Sequence, residues 1–146
     1  MGRLWTVVQI AAVAGLLLAL GCAGPPRAGG TGPTGATLRT TSASQQVGDL
    51  KVDLKLSPFP PAVRSQSTLE ITLTNTAGQA VDNAQVLLDL TMPAMPMPPN
   101  RPEARSVGAG KYVATARLGM GGQWQIAVVV RRGGQDLRAD FFVDVR

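Results

Sequence analysis

From Val47 onward the chain repeats one pattern: short runs in which apolar and polar residues alternate, each closed by Gly, Pro, Asn or Ser. Successive side chains of a strand point to opposite faces, so this alternation describes strands with one buried face. Leu50, Val52, Leu54 and Leu56 alternate with Lys51, Asp53 and Lys55 until Ser57-Pro58-Phe59-Pro60-Pro61 stops the run. Leu69, Ile71 and Leu73 alternate with Glu70, Thr72 and Thr74, and Asn75-Thr76-Ala77-Gly78 supplies a turn. Val86, Leu88 and Leu90 form a third set, and Tyr112, Ala114 and Ala116 a fourth. Trp124, Ile126, Val128 and Val130, then Phe141, Val143 and Val145, complete the inward faces. With a weak strand near 104–107, the spacing predicts about seven strands and an all-β, immunoglobulin-like antiparallel β-sandwich over 47–146. No helix of useful length is expected there.

The beginning of the chain has a different character. Arg3 precedes a hydrophobic run from Leu4 to Leu20, which small residues follow, and these are the three parts of an export signal peptide over 1–21. The run is short for a membrane span, and Gly21-Cys22-Ala23-Gly24-Pro25-Pro26 ends any helix. Cys22 is the sole cysteine, so it has no internal disulfide partner. Residues 22–46 are rich in Gly, Pro, Thr, Ser and Ala, and are expected to be a flexible linker. About 24 residues of such a coil reach roughly 27 Å.

Between the third alternating run and the weak strand lies Met92-Pro93-Ala94-Met95-Pro96-Met97-Pro98-Pro99. Its four prolines bar it from helix and from a central strand, so a stiff exposed loop is expected. Thioether sulfur is a soft donor suited to Cu(I) rather than to Mg²⁺, Ca²⁺ or Mn²⁺. Methionine is also an adaptable filler, and the same side chains could cover the open end of a small core. Both readings stand at this level.

Composition narrows the chemistry. The 146 residues contain no histidine, which removes the commonest metal ligand and the commonest general base. The nine acidic residues fall mostly on polar strand positions, and no nucleophile with a base is visible, so no enzyme is expected. A net charge of +5 is carried by scattered arginines without the basic stripe and interleaved aromatics of a nucleic-acid binder. No glycine-rich turn runs from a strand into a helix, so no phosphate loop fits.

Two resemblances add to this. The Ala19-Leu20-Gly21-Cys22 junction resembles a bacterial lipoprotein signal, which implies lipidation of Cys22 and anchoring of the exported chain to the cell membrane or outer membrane. It departs from that pattern in having Ala19 where leucine is preferred and Leu20 where a small residue is preferred. The methionine segment, Gly110-Lys111-Tyr112-Val113-Ala114 and Met120-Gly121-Gly122-Gln123-Trp124 together resemble the YtkA-like domain, a bacterial extracytoplasmic β-sandwich related to FixH-like proteins. Members of that family are mostly of unknown function and often occur with heavy-metal transport or respiratory-oxidase assembly. The resemblance implies a site of Met92, Met95, Met97 and Met120 for Cu(I) or Ag(I), with Trp124 as a cation-π cap or, on the residue's ordinary behaviour, a core side chain. Many relatives place a histidine soon after the methionines, where this chain has Pro98 and Pro99. The implied partners are the membrane, through the lipid anchor, and a metal transporter or oxidase-assembly protein. The competing expectation is a protein-interaction module in which the Pro-Met segment is an apolar contact patch.

Overall fold

The computed structural model describes residues 35–146. Ten strands follow one another: β1 (Ala36–Thr37), β2 (Ser42–Val47), β3 (Leu50–Ser57), β4 (Gln66–Asn75), β5 (Gln85–Met92), β6 (Met95–Asn100), β7 (Glu103–Gly108), β8 (Lys111–Arg117), β9 (Gly122–Arg132) and β10 (Gln135–Val145). One layer runs β1-β10-β9-β5 with β6 attached to β5, the other runs β8-β4-β3-β2, and β7 passes between them by pairing with both β5 and β8. All pairings are antiparallel except β1 with β10. The all-β sandwich expected from the alternation is the fold, and the described residues contain no helix.

Its core is made of the predicted inward faces. Leu50, Val52, Leu54 and Leu56 of β3 pack with Leu69, Ile71 and Leu73 of β4, and across the sandwich they meet Val86, Leu88, Leu90, Ile126, Val128 and Phe141 in one buried cluster. The Asn75 turn is also present: the Asn75 side-chain oxygen accepts from the Ala77 and Gln79 amides at 3.0 and 2.9 Å, with Gly78 at φ 76°. Residues 31–146 form one compact unit, and the buried cluster is drawn from within it. That unit therefore has what it needs to fold by itself.

Three expectations are corrected. Ten strands stand where about seven were expected. Residues 36–46 were assigned to the flexible linker, yet they contain β1 and nearly all of β2. Leu38 is buried there, its amide donating to the Phe142 carbonyl at 2.7 Å, and the Leu56 amide donates to the Thr41 carbonyl at 2.8 Å. Residues 38–41 thus link the edge of one layer to that of the other, with β1 covering β10 and β2 covering β3. Finally, the methionine segment is a hairpin rather than a loop. Met92 ends β5, Pro93-Ala94 makes the turn, and Met95 begins β6. β6 pairs with β5 on one side only, so its prolines sit on an edge where missing amide donors are tolerated. The signal peptide expected over 1–21 and the lipidation expected at Cys22 fall outside the described residues.

Candidate functional site

The hairpin places its two flanking methionines opposite one another. Met92 and Met95 are partners in the β5–β6 register, and directly opposed residues of an antiparallel pair project to the same face. Neither Pro93 nor Ala94 has positive φ, so the turn is not one of the primed types that match strand twist. The pairing then breaks: Leu90 opposes Asn100, so the stretch holding Pro96, Met97, Pro98 and Pro99 bulges away from β5. Met92 is 8% exposed and belongs to the core, Met97 packs against that core from a half-buried position, and Met95 is 49% exposed.

The second methionine motif arrives at the same place. The β5–β9 register runs from Leu90 opposite Ile126 to Thr91 opposite Gln125, which carries Met92 toward the start of β9. The Met92 Cε lies 3.2 Å from where a Cβ on Gly122 would be, and Gly122 has φ 121°. Glycine is required here both by the backbone angle and by the thioether methyl against it. Met120, 37% exposed, precedes Gly122 by two residues, and its carbonyl accepts the Trp124 indole N–H at 2.9 Å. Trp124 is 1% exposed, so its ring belongs to the core and its polar edge fixes the Met120 turn. Such a covered indole offers no open face to an ion at the surface, and its role here is positional. The spacing Met120-x-Gly122-x-Trp124 thereby has a structural reason.

All four methionines after Met1 are thus at one end of the sandwich. The neighbouring surface comes from the 58–65 connection and the chain after β8. Val63, exposed, lies with its Cγ2 3.5 Å from the Cβ position of Gly121. The Arg64 amide donates to the Leu118 carbonyl at 2.8 Å, and the Arg146 amide donates to the Pro61 carbonyl at 3.1 Å. Beside them is a cavity of about 510 Å³ lined by Leu38, Arg39, Phe59, Pro60, Asp144 and Arg146, with Thr37 at its margin. Among the described residues no three His, Cys, Asp or Glu side chains gather as a metal cluster, so the only concentrated soft donors at this end are the thioethers.

The Gly-x-Tyr motif does different work at the opposite end. The Tyr112 hydroxyl donates to the Val81 carbonyl at 2.9 Å and accepts from the Ala84 amide at 3.3 Å. Burial holds its pKa above the ordinary 10.0; the Ala84 bond pulls the other way and the Asp82 charge adds to the rise. The Gly110 amide donates to Asp82 Oδ1 at 2.6 Å, and at φ 69° a Cβ there would stand 2.5 Å from the Leu73 carbonyl oxygen. This motif is architectural: it pins the β4–β5 connection onto β8.

The YtkA-like family model matches residues 44–129, and the chain belongs to the YtkA-like family. The match includes the hairpin, the Gly-x-Tyr motif and the Met120–Trp124 turn. No curated protein matches the chain. A crystal structure of a DUF4785 family protein from Legionella pneumophila is similar at 13% identity and a TM-score of 0.43. The similarity covers 66% of this chain and 28% of that one, so the chain spans under a third of its length.

Proposed function

We propose that this YtkA-like protein is an exported, lipid-anchored carrier of Cu(I) or Ag(I), not an enzyme, with Met92, Met95, Met97 and Met120 as its thioether donors. The observation that supports the reading is the meeting of the Met92–Met95 hairpin with the Met120–Gly122 turn, with the Met92 methyl against Gly122. Four thioethers from two distant stretches share one end, graded from buried Met92 to open Met95. A donor set with a buried member and exposed members suits capture and hand-over, because the exposed ligands can exchange singly. Neutral sulfur donors bind soft monovalent ions through covalency and give hard divalent ions no anionic partner, so selectivity follows from the donor set. Anchoring through Cys22 would keep the carrier beside a membrane transporter or an oxidase-assembly partner.

Silver titration of the 31–146 unit carrying ¹³C-methyl methionine tests this reading. The Met95, Met97 and Met120 methyl signals should shift together and saturate at one equivalent; silver-independent spectra would reject it.

A second reading has its own support. Val63, Met95 and Met120 are exposed at the same end, which could therefore be an apolar contact patch for a protein partner. Replacing Met92, Met95 and Met97 by leucine separates the two, since leucine keeps the apolar area and removes the sulfur.

A further inference from the structure

The arginines of this chain are unevenly disposed once it is folded. Arg39, Arg64, Arg117 and Arg146 come together at the methionine end: Arg39 and Arg146 line its cavity, Arg64 is bonded through its amide to Leu118, and Arg117 ends β8 next to that residue. None of these four forms an ion pair among the described residues. By contrast Arg101, Arg131, Arg132 and Arg138 are paired with Asp89, Asp136, Asp49 and Asp140 at 3.0 to 3.6 Å, which leaves Arg105 as the one unpaired arginine elsewhere among the described residues. Of the nine acidic residues, Asp144 alone is in this group, on the wall of the cavity it shares with Arg39 and Arg146. The described residues carry twelve basic and nine acidic side chains, a net of +3, and the four arginines less Asp144 make that same +3 at the end that holds exposed Val63, Met95 and Met120.

We infer that the methionine end is a docking face for an anionic phospholipid surface. Apolar side chains and unpaired arginines at one end match the interfacial layer of a bilayer, where anionic headgroups meet acyl chains. The cavity repeats this on a smaller scale, lined by Arg39 and Arg146 together with Leu38, Phe59 and Pro60, and with Asp144 as its one acidic residue. Arginine is suited to this task because its planar fork can hold a phosphate through two parallel hydrogen bonds. A membrane is favoured over an acidic protein by the short chain length available: twelve residues separate Cys22, the proposed anchor, from Gly35, a span of at most about 45 Å. The bilayer would then be the anionic surface always within reach. The inference does not rest on metal binding, because the arginines are separate from the thioethers.

Sedimentation of the 31–146 unit with vesicles tests it without any contribution from a lipid anchor. Binding is expected to vesicles of phosphatidylglycerol and phosphatidylcholine in equal parts, with little to phosphatidylcholine alone, and it should fall steeply as NaCl is raised to about 0.5 M. Replacing Arg39, Arg64, Arg117 and Arg146 by glutamine should weaken it at least about tenfold. An Arg131→Gln/Arg132→Gln variant, altered at the opposite end, should bind like the parent, and D144N should bind more tightly. Thermal unfolding of each variant checks that the fold is kept, and Val63→Ser/Met95→Ser/Met120→Ser tests the apolar contribution separately. Equal binding to both vesicle types, no binding, or binding unchanged by the four arginine replacements would overturn the inference. Polyglutamate binding as tight as vesicle binding and indifferent to the serine variant would overturn it too, in favour of an acidic protein partner.

Discussion

Met92 and Met95 close a two-residue hairpin as direct partners, one side chain in the core and the other at the surface. The pair joins two roles usually kept apart, since the thioether that seals the end of the sandwich faces the same way as one that is open to solvent. The two should respond differently to truncation. Met92→Ala is expected to cost about 2–4 kcal/mol by leaving a cavity beside Gly122, whereas Met95→Ala should stay within about 0.5 kcal/mol of the parent in urea unfolding.

Oxidation should follow the same gradient. Brief treatment with dilute peroxide is expected to convert Met95 and Met120 to sulfoxide well before Met92, as read by peptide mass spectrometry. Early oxidation of Met92 would mean that the end of the sandwich opens far more than its packing indicates.

Tyr112 gives a pH-dependent prediction that is easy to isolate, because it is the only tyrosine. Tyr112→Phe removes the bond to the Val81 carbonyl and the acceptor for the Ala84 amide, at an expected cost of about 1–2 kcal/mol near neutral pH. With its folded pKa raised above 10.0, the unfolded chain loses the phenol proton first as pH rises. The stabilisation is therefore complete below pH 10 and is lost as pH climbs through the folded value, so the gap between parent and Tyr112→Phe should narrow there.

Two glycines with similar φ separate backbone strain from collision. Gly78 has nothing within 4 Å of its Cβ position, so Gly78→Ala should cost about 1 kcal/mol from φ alone. At Gly110 the added methyl would also meet the Leu73 carbonyl oxygen and the Val81 amide nitrogen, which cannot swing aside. Gly110→Ala should cost several times as much, and equal costs for the two substitutions in urea unfolding would contradict the pinning role assigned to Gly110.

Ser67 offers a change in the stabilising direction. It is fully buried opposite Ala116, and its hydroxyl has no partner among the described residues. Ser67→Ala should be neutral or stabilising by up to about 1 kcal/mol, since it removes an unmet polar group. A clear loss of stability would show that the hydroxyl is bonded after all.

The strand faces were legible because burial on one side leaves a period of two in the sequence, as in Leu50 to Leu56 and Trp124 to Val130. β1 and β2 left no such trace. Ser42–Val47 is held largely by backbone bonds to β3, which require no apolar side chain, and Leu38 alone supplies the fully buried contact. The hairpin was hidden for the opposite reason: proline argues against strands in general, but not against an edge strand with one neighbour. The methionines were recognisable as a soft-donor set from their chemistry. Met120 was joined to the other three only through the family resemblance, because the register that carries Met92 to Gly122 is a tertiary fact that periodicity does not record. The same holds for Arg39, Arg64, Arg117 and Arg146, which look scattered until the chain ends and connections meet.

The most direct test of the proposed carrier is competition for Cu(I) between the 31–146 unit and a Cu(I)-specific chromophoric chelator, under anaerobic reducing conditions. The account predicts withdrawal of one Cu(I) per chain by the parent, abolished in the Met92→Leu/Met95→Leu/Met97→Leu variant, whose thermal unfolding should stay cooperative. Failure of the parent to withdraw Cu(I) at any chelator concentration, or equal withdrawal by the leucine variant, would contradict a thioether site.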